Sequence, residues 1–267
     1  MCRLKSLEEL NIAKCAKLKG LPHQLGNLKS LKSLDASNAG IKRLPDSIGY
    51  LTRLESLTLS GCKKLKKLPT SICNLTSVSV LHLERCSSLE NFPDELGDWK
   101  GLSGIYASNT KIKQLPDSTN CCNLRSLPNS ICKLKSLRTL RLTDCLNLQE
   151  LPEKLGDLHR LEDIGVSGTR ITQLPDTIQR MPYLHTLLLN NCKQLKSVPG
   201  RNLGLSLIRV LALRDCNLTD NDIPNDIWEL STLMVLDLSG NNFSCLPSGL
   251  GQLHSLQVLY ASECIRF

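Results

Sequence analysis

The chain has 267 residues, 41% of them hydrophobic and only 3% aromatic, and about one in five is leucine. Mean hydropathy is -0.12. No apolar run approaches the ~18 residues of a membrane span, and no basic-then-apolar export signal opens the chain. These features exclude a membrane-spanning helix and point to a non-secreted protein of the cytoplasm, with the nucleus a second permitted location. The formal net charge of +8 hides an asymmetry: residues 1–143 carry 23 basic and 11 acidic side chains, residues 144–267 carry 10 and 14. A basic half beside a mildly acidic one suggests two different jobs along the chain. A core of near-identical leucines, without the aromatics that fill irregular interiors, points to repetition.

Along the chain, the pattern Leu-x-x-Leu-x-Leu-x-x-(Cys/Asn/Thr) begins at Leu7, Leu31, Leu54, Val78, Leu102, Leu137, Leu161, Leu184, Ile208, Leu233 and Leu256. The intervals are 23 to 25 residues, except for 35 between Leu102 and Leu137. This is the leucine-rich-repeat signature. Apolar positions 1, 4 and 6 alternate with polar ones, as in a short strand buried on one face. Position 9 then turns the chain. The Leu-Pro that follows cannot extend a sheet, because proline has no N–H to donate. Segments such as "DSIGYL" and "EKLGDL" return with Ile and Leu inward, as short helical or 3₁₀ turns. No unit can bury its leucines alone, so stacked units must share one core. The expected fold is an α/β solenoid: a right-handed superhelix or horseshoe, with a concave parallel sheet and a convex face of short helical, 3₁₀ and extended segments. One domain, 1–267, would hold about ten full repeats plus a terminal partial one. Eleven strands at roughly 4.8 Å make a sheet on the order of 50 Å long.

Seven of the thirteen cysteines fall at position 9: Cys15, Cys62, Cys86, Cys145, Cys192, Cys216 and Cys264. Ala39, Thr110, Thr169 and Asn241 take that place in the shorter units. The cysteines therefore read as a buried turn ladder that hydrogen-bonds the backbone. Cys62 with Cys86, and Cys192 with Cys216, come within disulfide reach, but other coils lack a partner, so free thiols in a reducing compartment fit better. The 35-residue interval contains "LPDS" at 115–118 and "LPNS" at 127–130. It carries an irregular half-repeat, 117–136, whose strand portion is missing. Such a unit must bulge on the outer side or kink the sheet, either as a tolerated deletion or as a functional hinge.

Chemistry-bearing motifs are absent: there is no phosphate loop, G-x-S-x-G, H-E-x-x-H or C-x-x-C. The five histidines do not sit at metal-ligand spacing, and His82 and Cys86 belong on opposite sides of a turn. The sequence thus reads as a non-enzyme with no cofactor, metal or small-molecule substrate. Sequons at Asn74, Asn217 and Asn242 are explained by repeat grammar in a chain without a signal. Lys17, Lys19, Lys42, Arg43, Lys63, Lys64, Lys66, Lys67, Lys111 and Lys113 follow the strands and stack into a basic edge stripe. With no aromatics interleaved for base stacking, the stripe fits a solvated face or an acidic protein better than nucleic acid. On the concave face, position 5 runs Asn11, Asp35, Thr58, His82, Tyr106, Arg141, Gly165, Leu188, Ala212, Asp237 and Tyr260. Tyr106, Tyr260 and Arg141 are of the types enriched at binding hot spots. His82, Glu84 and Arg85 lie beside Tyr106, and Arg138 and Arg214 also face outward. Leu188, Val210, Ala212, Val235 and Val258 form an exposed apolar strip in register.

The wording "LESLTLSGCKKLKKLPTSICNLTSV", "LRSLPNSICKLKSLRTLRLTDC" and "LALRDCNLTDNDIPNDIWELSTLMVLDLSGNNFSCLPSGLGQLHSLQVLYASEC" resembles the leucine-rich-repeat region of plant intracellular immune receptors. The likeness is to the class with a Toll/interleukin-receptor-type domain and a nucleotide-binding NB-ARC domain. The G-x-I-P form of extracellular plant receptors is approached only in "DNDIPNDI". The resemblance implies a disease-resistance role. Early basic repeats would contact an acidic nucleotide-binding domain in cis and hold it inactive, and later repeats would recognise a pathogen effector or a host protein in trans. The switch domains of that class are not in this chain, which reads as a fragment or truncated product. A stand-alone intracellular scaffold of the Ras-group leucine-rich-repeat kind is the alternative.

Overall fold

In the computed structural model, the described residues are 4–112, 127, 129–196, 198, 205–246 and 248–264. Eleven three-residue strands form one parallel sheet in strict chain order. They are β1 (Glu9–Asn11), β2 (Ser33–Asp35), β3 (Ser56–Thr58), β4 (Val80–His82), β5 (Gly104–Tyr106), β6 (Thr139–Arg141), β7 (Asp163–Gly165), β8 (Thr186–Leu188), β9 (Val210–Ala212), β10 (Val235–Asp237) and β11 (Val258–Tyr260). The register is constant, so each repeat position forms its own column across the sheet. Position 5 pairs Asn11 with Asp35, and the column continues to Asp237 with Tyr260. The solenoid expected from the leucine spacing is therefore what forms.

Every strand stops after three residues because the chain turns at position 8. All eleven residues there, Lys14, Asn38, Gly61, Arg85, Asn109, Asp144, Gly168, Asn191, Asp215, Gly240 and Glu263, have positive φ. A left-handed residue cannot continue a strand, and Gly, Asn and Asp reach that conformation at least cost. The turn thus lies one residue before position 9, where the repeat pattern alone had put it. Several position-5 side chains brace it. The Asn11, Asp35 and Asp237 side chains accept the position-7 N–H of Ala13, Ser37 and Ser239 at 2.9, 2.8 and 3.0 Å.

The return path is a row of 3₁₀ turns, among them Asp46–Tyr50, Thr70–Asn74, Asp94–Asp98, Asn129–Lys133 and Glu153–Asp157. Pro45, Pro69 and Pro93 stand before the first three of these in extended conformation. Between strand and return, Leu31, Leu54, Leu57, Leu81, Leu140 and Leu161 are wholly enclosed. Burying a leucine side chain stabilises by roughly 1.5–3 kcal/mol, and each is covered only when a neighbouring coil is in place. Trp99 takes a leucine position in this core, fully buried, because its indole N–H reaches the carbonyls of Leu75 and Val78 at 2.9 and 3.1 Å.

At the 35-residue interval the sheet neither gains a strand nor breaks. β5 pairs with β6 through Gly104–Thr139, Ile105–Leu140 and Tyr106–Arg141. On the outer face, the turns Asp94–Asp98 and Asn129–Lys133 stack so closely that a Cβ on Gly97 would lie 2.2 Å from the Ser130 carbonyl. The turn Asn129–Lys133 is thus in register with that of the preceding coil. Residues 117–126 and 128 of the irregular half-repeat lie outside the described residues.

Candidate functional site

The cysteine column shows how the sequence builds a rigid platform. Sγ of Cys62, Cys86, Cys145, Cys192 and Cys216 donates to the position-6 carbonyl of the preceding coil, at Ala36, Leu59, Ala107, Val166 and Leu189, over 3.0–3.3 Å. Cys264 reaches Leu238 O at 3.7 Å. Thr110 and Thr169 donate instead to position 6 of their own coil, at Ala107 and Val166. Burial pushes the thiols of Cys86 and Cys216 up to about 12 and that of Cys62 to about 11, because an apolar interior disfavours thiolate. Cys15 departs from the expected ladder. It lies in the first described coil, and it is exposed.

On this platform His82, Glu84 and Tyr106 come together. The His82 and Tyr106 rings stack with centroids 5.3 Å apart and planes 16° from parallel. His82 Nδ1 lies 3.3 Å from Glu84 Oε1, while Ser60 Oγ donates to Glu84 Oε2 at 2.6 Å. Arg85 is adjacent and exposed, held at φ 61, where a long side chain gains nothing from the backbone. Next along the column, Arg141 pairs with Asp163 and packs its chain over Gly165, whose Cβ would sit 2.7 Å from Arg141 Cδ. Burial pushes the Asp163 carboxyl up against the lowering pull of Arg141. Asp163 Oδ1 is enclosed without a hydrogen-bond partner among the described residues.

Three of the four candidate arginines, Arg138, Arg141 and Arg214, are thus already engaged. Arg138 pairs with Glu162 at 2.9 Å, and Arg214 bridges Asp215 at 3.2 Å and Glu263 at 3.1 Å. The sequence pattern missed Glu162, Asp163 and Glu263 because they stand one or two coils away, whereas Asp215 directly follows Arg214; an acidic residue on the neighbouring coil of the aligned repeats is the signal. Beyond them the face turns apolar. Val210, Val235 and Val258 pair in register, and together with Leu188 they are half-exposed, whereas Ala212 is buried. Tyr260 ends the position-5 column, exposed.

The described basic residues of the stripe are all exposed, but they do not form one line. Backbone bonds from Lys42 N to Lys19 O at 3.1 Å and from Lys66 N to Lys42 O at 3.4 Å stack three of them. The next place belongs to Glu90. Lys67 leads to Asn91 in the parallel column, and Arg43 directly follows Lys42. Lys17, Lys63, Lys64 and Lys111 lie nearer the turn, and Lys113 is outside the described residues.

Models of a leucine-rich repeat region and of a leucine rich repeat match residues 1–113 and 232–253. TMV resistance protein N of Nicotiana glutinosa is 35% identical over 98% of this chain and 22% of its own length. The chain is a leucine-rich-repeat solenoid, similar in sequence to part of plant disease-resistance proteins. Disease resistance-like protein DSC1 of Arabidopsis thaliana is 32% identical over 57% of the chain and 14% of its own. The chain therefore spans about a fifth or less of these relatives. Among solved structures, a leucine-rich-repeat protein of Leptospira interrogans superposes with TM-score 0.70 at 23% identity, covering 98% of this chain and 68% of that one. YopM, a leucine-rich effector protein from Yersinia pestis, gives 0.67 at 25%, over 94% and 59%. These two share the coil geometry.

Proposed function

We propose that this chain is the recognition and autoinhibition module of a plant intracellular immune receptor. Its repeats are those of disease-resistance proteins, and a protein-interaction role in plant defence follows from them. The observation that carries the finer reading is the division of the surface. A rigid concave face presents the His82–Tyr106 stack and the Leu188-to-Val258 apolar run, whereas the cations of the first three coils lie on another edge. The concave face would take a pathogen effector or host protein in trans. The basic edge would take an acidic nucleotide-binding domain in cis. Both contacts would be made in the cytoplasm or nucleus.

In a receptor reconstituted with these repeats, changing Lys63, Lys64, Lys66 and Lys67 to glutamate releases inhibition and gives signalling without an elicitor. Tyr106→Ala and Leu188→Ser leave the resting state silent but impair the response. Unchanged signalling in both sets would sink the division of labour. Cis binding seen only at low salt would reduce the basic edge to diffuse attraction.

A further inference from the structure

Where the first two coils descend from the sheet, their Leu-Pro turns leave a groove of about 460 Å³, within the roughly 300–1,000 Å³ range of small-molecule sites. Lys19 and His23 come from one coil, Arg43 and Asp46 from the next, and Leu44 and Pro45 supply an apolar wall. The bond from Lys42 N to Lys19 O fixes the two coils against each other. The same groove recurs where Leu151 and Pro152 stack beyond Asn129, at about 320 Å³, but there the flanking charges are Glu150, Glu153 and Lys154. In repeat position, Arg43 corresponds to Glu150, Asp46 to Glu153 and His23 to Asn129. The groove is therefore a general product of stacked Leu-Pro turns, and its lining is what the sequence chooses.

Among the described residues, neither Lys19 nor Arg43 has a carboxylate within ion-pair distance. Two such cations with an imidazole, drawn from facing coils, suit a phosphate group, which takes charge-assisted bonds from several directions. Asp46 would repel a bare phosphate, yet its carboxylate accepts hydrogen bonds from hydroxyls, and the Leu44–Pro45 wall offers contact to ring C–H groups. We propose that the groove between the first two coils binds a phosphorylated cyclic polyol, a sugar phosphate or inositol phosphate. Lys19, His23 and Arg43 hold the phosphates and Asp46 holds a hydroxyl. This site draws Lys19 and Arg43 from the basic edge but is separate from the concave face, and it stands whether or not that face binds an effector.

The test is calorimetric titration of the whole chain with myo-inositol 1,4,5-trisphosphate and with inorganic phosphate, and flotation with vesicles containing or lacking phosphatidylinositol 4,5-bisphosphate. The free trisphosphate should bind at least tenfold more tightly than inorganic phosphate. K19Q/R43Q should weaken it tenfold or more, and K64Q/K67Q, which removes equal charge outside the groove, less than threefold. D46N should narrow the preference for trisphosphate over phosphate. Vesicle binding with the same sensitivity to K19Q/R43Q would assign the lipid headgroup as a source of the same chemistry. Equal losses in the two charge-matched variants would overturn the proposal in favour of a diffuse field, as would vesicle binding without binding of the free headgroup. Unchanged melting temperatures identify the variants as folded, and R43Q alone, at an exposed position, gives the same reading if the double variant is unstable.

Discussion

Asn241 offers the sharpest test of how the coils are held together. It is fully enclosed. Its Oδ1 accepts from Cys216 N at 3.0 Å and Leu218 N at 3.1 Å, and its Nδ2 donates to Leu213 O and Leu238 O, both at 2.8 Å. One side chain thus does the work of the thiol in other coils, bonding position 6 of the preceding coil, and also satisfies two N–H groups that a thiol leaves to others. Asn241→Ala would strand three buried backbone groups and leave Leu238 O only the long bond from Cys264. At about 1–3 kcal/mol for each unsatisfied group, and with water recovering part of that through the new space, the loss should be about 4 kcal/mol. Cys216→Ala removes one principal bond, to Leu189 O at 3.1 Å, and a small volume, and should cost about 1–2 kcal/mol. Urea unfolding gives the totals. Amide exchange locates them, since in a solenoid the loss falls on neighbouring coils: β9 to β11 should exchange faster while β2 to β4 do not. Asn241→Ala costing no more than Cys216→Ala, or exchange rising uniformly, would refute the reasoning.

Three further outcomes follow from the turn columns and the thiols. Gly168 has φ +68, and a Cβ there would lie 2.1 Å from Asp144 Oδ1, so Gly168→Ala should destabilise by about 1–2 kcal/mol; Arg85→Asn should stabilise by up to about 1 kcal/mol, and thermal melts of both check the left-handed column. The folded thiols of Cys62, Cys86 and Cys216 titrate at about 11 to 12, above the ordinary 9.0. Protons are therefore retained on folding, stability is full below pH 9 and falls as pH rises from 9 towards 12, by about 1.4 kcal/mol per pH unit for each thiol. A pH series of urea midpoints that stays flat to pH 11 would contradict this. Iodoacetamide should label Cys15 and Cys245 in the native protein, both being exposed, and Cys62, Cys86, Cys145 and Cys192 only after unfolding, as peptide mass spectrometry will show.

How much of this was legible in the sequence depends on the range of the interaction. Leucine at positions 1, 4 and 6 announced the strands, their register and the core, because each unit writes the same local rule eleven times. The left-handed column was also written there, as the run of Asn38, Gly61, Asn109, Asp144, Gly168, Asn191, Asp215 and Gly240. It escapes notice because Lys14, Arg85 and Glu263 occupy the same place without the usual preference. The ion pairs of Arg138 and Arg141 did not show, since they join residues 22 to 24 apart and depend on which side chains stand opposite on adjacent coils.

That difference in range governs what the surface can do. Once the core fixes the columns, a solvent-facing side chain is judged by its neighbours in the column rather than by its own type. Arg141 looked like an anchor and is tied to Asp163 beneath it. Asn11, Asp35 and Asp237, in the same column, brace their own turns. The free capacity of the face lies instead where successive coils repeat a character without complement: His82 stacked on Tyr106, valine beside valine from β9 to β11, and lysine beside lysine in the first three coils. A solenoid satisfies its backbone internally, so it can leave such runs uncompensated, and there a partner would gain most by supplying the missing complement.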